Sequence, residues 1–176
     1  MRRVRYVVAM SLDGYIAGPN GEADWIIMDP EIDFQALFEQ FDTFLMGRRT
    51  FEGMGGARGS GQPGVQTIVF SRTMRQQDYP NLTIVSENPE QVLAELRSKP
   101  GKDIWLFGGG LLFRSLLEAR LVEAVEVAVI PVLLGEGISL LPPKPSSEQF
   151  KLKLASSRTY KTGIVSLEYA VEYEPA

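Results

Sequence analysis

Three short stretches of this chain hold residue types that can grip a phosphorylated ligand. In the first, the apolar run Ile104 to Phe107 breaks into Gly108-Gly109-Gly110, and Leu112, Phe113, Leu116 and Leu117 then follow at helical spacing. A strand that passes through glycines into a helix offers unpaired N–H groups at the positive end of the helix dipole. With no side chains in the way, a pyrophosphate can come close to that backbone. Three adjacent glycines equally suit a tight strand-to-helix turn that binds nothing, so the glycines alone leave both readings open.

The second stretch is Met46-Gly47-Arg48-Arg49-Thr50, another strand end leading to a helix, now with two guanidinium groups and a hydroxyl. The third is Ser71-Arg72, which closes the apolar run Thr67 to Phe70. If the sheet is parallel there, Arg48, Arg49 and Arg72 meet on one edge at the strands' carboxyl ends, where open α/β sheets bind ligands. An arginine fork matches the oxygens of a phosphate monoester, so such an edge would select NADPH over NADH. Taken singly, each of these arginines is better explained as a solvated surface residue.

The chain contains neither cysteine nor histidine. Zinc sites of the Cys/His type, thiol catalysis, disulfide frameworks and Ser-His-Asp triads are therefore excluded. No metal site is expected, and proton transfer is left to Asp, Glu, Lys, Tyr or water. Gly59-Ser60-Gly61-Gln62-Pro63-Gly64 matches the dinucleotide-binding fingerprint letter by letter. It follows no strand, opens no helix and contains a proline, which marks it as a decoy.

The elements that must position these stretches alternate along the chain. Val4 to Met10 reads as a buried strand feeding a Ser-Leu-Asp-Gly turn, with a loop over 17–21 after it. Asp29-Pro30 reads as a helix start with Asp29 as cap, and Phe34, Leu37, Phe38 and Phe41 give that helix an aromatic inward face. Thr43 to Met46 and Thr67 to Phe70 are strands, separated by an exposed, glycine-dominated loop over 55–64. Asn88-Pro89 repeats the cap-and-proline start ahead of Val92, Leu93 and Leu96. Past residue 121, Val125, Val127 and Val129 alternate with polar or small residues, as do Leu152 and Leu154, and Val165 through Tyr173. Such alternation predicts antiparallel strands finishing a mixed sheet. The expected fold class is α/β: a three-layer α/β/α domain with a mixed, mostly parallel central sheet, spanning residues 1–176 as one unit.

A chain of 176 residues buries roughly 70% of its unfolded surface, enough for a core without staples. Lys plus Arg number 18 against 22 Asp plus Glu, a net charge of -4, so no global field favours a nucleic-acid backbone. No segment approaches the roughly 20 apolar residues of a membrane helix. The basic start Met1-Arg2-Arg3-Val4-Arg5 reaches Ser11 and Asp13 too soon for a signal-peptide core. These features predict a cytoplasmic protein whose partner is a small molecule.

Five motifs occur in one order along the chain: Ala9-Met10-Ser11-Leu12-Asp13-Gly14-Tyr15-Ile16-Ala17, Met46 through Glu52, Ile68 through Arg72, Phe107 through Gly110, and Pro131 through Gly137. In this order and spacing the chain resembles the dihydrofolate reductase-like superfamily. The Ser-Leu-Asp-Gly opening and Pro131-Val132-Leu133-Leu134-Gly135-Glu136-Gly137 are closest to one branch, the C-terminal reductase domain of the bifunctional deaminase-reductase of riboflavin biosynthesis.

That resemblance implies NADPH lying across the sheet, often in a homodimer. By matching motifs, Ala9, Ile16 and Ala17 would line the nicotinamide, and Gly108, Gly109, Gly110 and Leu111 would meet the pyrophosphate. Gly47, Arg48, Arg49 and Thr50 would hold the pyrophosphate and adenosine side, with Ser71 and Arg72 at the 2'-phosphate. A hydride would pass to a pyrimidine or pterin-like heterocycle. Dihydrofolate reductases hold the pterin by a carboxylate on the first helix, where the register here is shortened; Asp33 is the candidate for that role, and Asp29 is read as a cap. Trp25 would shape the substrate end. Asp13 could contact a substrate hydroxyl or the nicotinamide ribose, or simply cap its turn. The deaminase half of the riboflavin enzyme needs zinc held by His and Cys, so that activity is absent here. A dihydrofolate or other pterin reductase is the rival enzyme reading, and a non-catalytic NADPH-binding module is the rival of another class.

Overall fold

The computed structural model describes residues 1–56, 64–145 and 149–174. Its frame is an eight-stranded sheet made of β1 (Val4–Ser11), β3 (Phe41–Gly47), β4 (Gln66–Phe70), β5 (Thr83–Val85), β6 (Asp103–Gly108), β7 (Ala124–Ile130), β9 (Lys151–Thr159) and β10 (Val165–Glu172). The spatial order is β5-β4-β3-β6-β1-β7-β10-β9. The first six are mutually parallel, β10 runs antiparallel to β7, and β9 reverses again beside β10. A short second sheet pairs β2 (Tyr15–Ala17) with β8 (Ile138–Ser139).

The period of two along each strand divides the side chains between two faces. Val4 and Tyr6 of β1 join Leu45, Ile68, Ile104 and Leu106 on one face, under α3 (Pro89–Ser98) and α4 (Gly110–Glu118). Phe44, Met46, Val69 and Trp105 occupy the other, under α1 (Phe34–Phe38) and α2 (Arg48–Gly53). Burial on both faces explains why the central strands read as near-continuous apolar runs. Each fully buried Leu or Ile contributes about 1.5–3 kcal/mol, and Tyr6 adds a stack on Phe113 with ring centroids 4.0 Å apart.

Several expectations are corrected here. The first helix starts at Phe34, with Asp33 as its cap: Asp33 Oδ1 accepts from the Ala36 N–H at 2.9 Å. Phe41 belongs to β3. Asp29 instead caps a turn through the Glu31 N–H at 2.8 Å and ties it to Thr162, whose hydroxyl donates at 2.7 Å. Asn88 makes no side-chain cap; it sits in the left-handed region at φ 51. The alternation in β7 does not make it antiparallel throughout, because it runs parallel to β1 and antiparallel only to β10. The short strands β2, β5 and β8 are too brief for a readable period. The decoy at 59–64 lies, except for Gly64, outside the described residues, as does most of the 55–64 loop.

Candidate active site at the carboxyl rim

The condition set by the arginine motifs holds: β4, β3 and β6 are parallel neighbours, so the turns that follow them share one rim. Gly47 pairs with Phe70 and Met46 with Gly108, which brings the Arg48, Ser71 and Gly109 turns side by side. A β-carbon added to Gly47 would lie 3.7 Å from the Gly109 nitrogen. The Thr50 hydroxyl would lie 3.9 Å from one on Gly108 and 3.7 Å from one on Gly109. Gly108 has φ 125, a value that favours glycine, and the Gly108–Gly109 peptide is cis.

Gly109 caps α4 without any side-chain bond, so the first N–H groups of this nine-residue helix face the rim. Gly110 is glycine for another reason: its β-carbon would fall 2.7 Å from Pro142 and 2.8 Å from the Ser139 carbonyl. Leu111 is exposed at the helix's first turn. Arg48 is exposed and pairs with Glu52 at 3.3 Å. Arg49 and Arg72 are also exposed, and neither forms an ion pair among the described residues. Ser71 is buried, and its hydroxyl accepts from the Thr73 and Met74 N–H groups at 3.2 and 3.1 Å, fixing the turn that presents Arg72.

On the other side of β6, half-buried Ala9 pairs with Ala128 near the end of β1, while Ile16 and Ala17 lie on β2. The Asp13 carboxylate accepts from the Ser11 hydroxyl at 2.6 Å and from the Gly135 N–H at 2.7 Å. These bonds, led by the Ser11 hydroxyl, bring its pKa down to about 2. Trp25 is half-buried, and its indole donates to the Glu22 carbonyl at 3.0 Å. Asp29, buried, is held below the usual carboxylate range, first by the Thr162 hydroxyl.

Sequence reasoning missed Tyr6 and the Leu134–Gly135 turn as parts of this rim. The Tyr6 hydroxyl lies under Gly108, fully buried, with no hydrogen-bond partner among the described residues, and burial pushes its pKa up. No spacing signal could have found it, since a tyrosine in an apolar strand reads as core. The Leu134–Gly135 turn lies within a quoted motif, but only the fold brings it to Asp13.

Among the described residues no cluster of three potential metal ligands occurs, and no helix is long and apolar enough to cross a membrane. A cavity of about 450 Å³ lies at the opposite, amino-terminal end of the sheet, beside Arg2, Arg97 and Lys102. Its two arginines are already paired with Asp42 and Glu123.

This three-layer architecture, with its glycine turn at the carboxyl rim, is the dihydrofolate reductase-like α/β fold. The dihydrofolate reductase of Enterococcus faecalis complexed with NADP(H) superposes with a TM-score of 0.66 at 21% identity, covering 97% of each chain. The chain belongs to the RibD C-terminal domain family, whose model matches residues 2–166. It is 33% identical to the uncharacterised protein YyaP of Bacillus subtilis, over 96% of this chain and 94% of that one. A protein from Shewanella sp. PV-4, provisionally assigned to riboflavin biosynthesis, superposes with a TM-score of 0.79 at 26% identity, covering 98% of this chain and all of that one. The family makes this a reductase-like domain with a small-molecule substrate.

Proposed function

We propose that this protein is an NADPH-dependent reductase that delivers a hydride to a flat, nitrogen-rich heterocycle of the pyrimidine or pterin kind. The observation that carries the reading is the convergence of Gly47, Gly108 and Gly109 with the Arg48, Arg49 and Arg72 turns on one rim. A cradle that β-carbons would fill, beside exposed arginines, suits a pyrophosphate and a 2'-phosphate.

NADPH bound there would supply the hydride. In this arrangement Gly108, Gly109, Gly110 and Leu111 bring backbone N–H groups to the pyrophosphate, and Gly47, Arg48, Arg49 and Thr50 flank it. Arg72, presented by Ser71, meets the 2'-phosphate, while Ala9, Ile16 and Ala17 line the nicotinamide. Asp13 stays ionised near neutral pH, so water or another carboxylate supplies any proton. Asp33 remains the candidate carboxylate for holding the ring: Oδ1 is occupied by the helix cap, and Oδ2 has no partner among the described residues. Trp25 bounds the substrate side, and a cytoplasmic homodimer would be consistent with the family.

Charge favours a substrate without a phosphate. Residues 6–47 include no Lys or Arg, and the stretch 13–33 holds Asp13, Glu22, Asp24, Asp29, Glu31 and Asp33. The nearest bases on the β9–β10 hairpin, Arg158 and Lys161, are both paired with Glu31, at 3.3 and 3.5 Å.

Calorimetry with NADPH and NADH, followed by absorbance at the reduced nicotinamide band with pyrimidine and pterin substrates, tests the proposal. Preferential NADPH binding with turnover is expected. Binding without turnover of any heterocycle would favour a non-catalytic NADPH module, and no heat with NADPH would sink the reading.

A further inference from the structure

The segment from Leu12 to Ala17 contains both nicotinamide-side residues of β2, yet it has little core of its own. Leu12 is 64% exposed and Gly14 stands at φ 91. Its position comes from the segment Val132–Leu140. The Leu12 N–H donates to the Val132 carbonyl at 2.9 Å, the Leu140 N–H donates to the Gly14 carbonyl at 2.9 Å, and β2 pairs with β8. Contact is close enough that a β-carbon on Gly137 would fall 2.3 Å from the Ala17 carbonyl.

One side chain ties this joint together. The Asp13 carboxylate accepts from the N–H groups of Leu134 at 3.1 Å and Gly135 at 2.7 Å. It also orients the Ser11 hydroxyl at 2.6 Å, and that oxygen accepts from the Tyr15 N–H at 3.0 Å. A continuous path therefore runs from the Gly135 amide through Asp13 and Ser11 to the first residue of β2. Hydrogen bonds to a charged acceptor are about twice as strong as neutral ones, so this exposed carboxylate adds a charge-assisted link to the backbone bonds that join the two segments.

We propose that Asp13 is a positioning residue: its carboxylate clamps the Leu134–Gly135 turn to the start of β2 and so sets where Ile16 and Ala17 meet the nicotinamide. The proposal rests on the reductase reading for the identity of what Ile16 and Ala17 face. The carboxylate itself contacts no reacting atom; with its oxygens committed to donors, it acts through the backbone that it holds.

The test compares Asp13→Ala, Asp13→Asn and Gly137→Ala with the wild-type chain by amide hydrogen exchange without cofactor, calorimetry with NADPH, and fluorescence of bound NADPH. In Asp13→Ala the amides of Leu134, Gly135 and Tyr15 should exchange about 10-fold faster or more, while remaining core amides hold. NADPH affinity should stay within about threefold, because the phosphate contacts lie on other turns. Emission of the bound nicotinamide should shift toward that of the free cofactor. Gly137→Ala should reproduce that shift by pushing on the Ala17 carbonyl, and Asp13→Asn, which keeps one acceptor oxygen, should restore part of both signals. Unchanged exchange at those amides would overturn the clamp, and faster exchange with unaltered bound emission would overturn its positioning role. Failure of the wild type to bind NADPH would overturn the reductase reading and the nicotinamide assignment with it, a result distinct from the cofactor-free exchange.

Discussion

The two halves of the carboxyl rim differ in charge and in what holds them. Over β3 and β4 the turns are short, backed by the core, and present Arg48, Arg49 and Arg72 to solvent. Over β1 and β7 the rim is made of longer connections with acidic side chains, joined by backbone hydrogen bonds, the β2–β8 pairing and hydrogen bonds to the Asp13 and Asp29 carboxylates. The triple-glycine turn of β6 stands between them. A molecule with phosphates at one end and an uncharged ring at the other would lie along this gradient in one direction only.

Removing the positive half should have the largest effect. Arg48→Ala combined with Arg72→Ala should weaken NADPH binding by about 100-fold and NADH binding, which loses only the Arg48 contact to the pyrophosphate, by about 10-fold. Equal losses for both cofactors, measured by calorimetry, would break the assignment of that half to a phosphate monoester. Raised salt should weaken NADPH binding in the wild type, since exposed charges are screened.

The negative half is probed by the substrate. A ribosylamino-pyrimidine without its phosphate should show a KM about 10-fold below that of the phosphorylated compound. Preference for the phosphorylated compound in steady-state kinetics would refute the charge argument.

At the boundary, Tyr6→Phe removes a buried hydroxyl that has no partner among the described residues. It should raise stability by about 1 kcal/mol in denaturant unfolding, the reverse of the usual outcome for a core substitution. A loss of that size would show that the hydroxyl is satisfied after all.

The smallest effect concerns pH. The Asp13 and Asp29 carboxyls both lie below their unfolded values, so their contributions are complete above about pH 4 and fade at lower pH, that of Asp13 as pH falls toward about 2. Exchange at Gly135 should therefore be flat from neutrality to about pH 4, after correction for intrinsic rates, and rise below it. A rise near pH 6 would contradict the bonding described for Asp13.

Much of the central sheet was legible because strands buried on both faces announce themselves as apolar runs, and glycines punctuate their ends. The first helix was misplaced because Asp29-Pro30 and Asp33-Phe34 both look like starts, and only the tie from Asp29 to Thr162, far along the chain, separates them. Gly110 looked like part of a phosphate turn, yet contact with Pro142 already demands a glycine there.

The amino-acid sequence by itself determined the α/β class, the exclusion of Cys/His chemistry and the residues able to meet a phosphate, since these follow from composition and local periodicity. Strand order was decided only by the tertiary structure, and with it the meeting of three distant turns on one rim, the burial of Tyr6 beneath Gly108 and the closure of Asp13 on Gly135. Those relations join residues up to 122 positions apart, and no local pattern encodes which of many compatible pairings buries the most surface while keeping the backbone hydrogen-bonded.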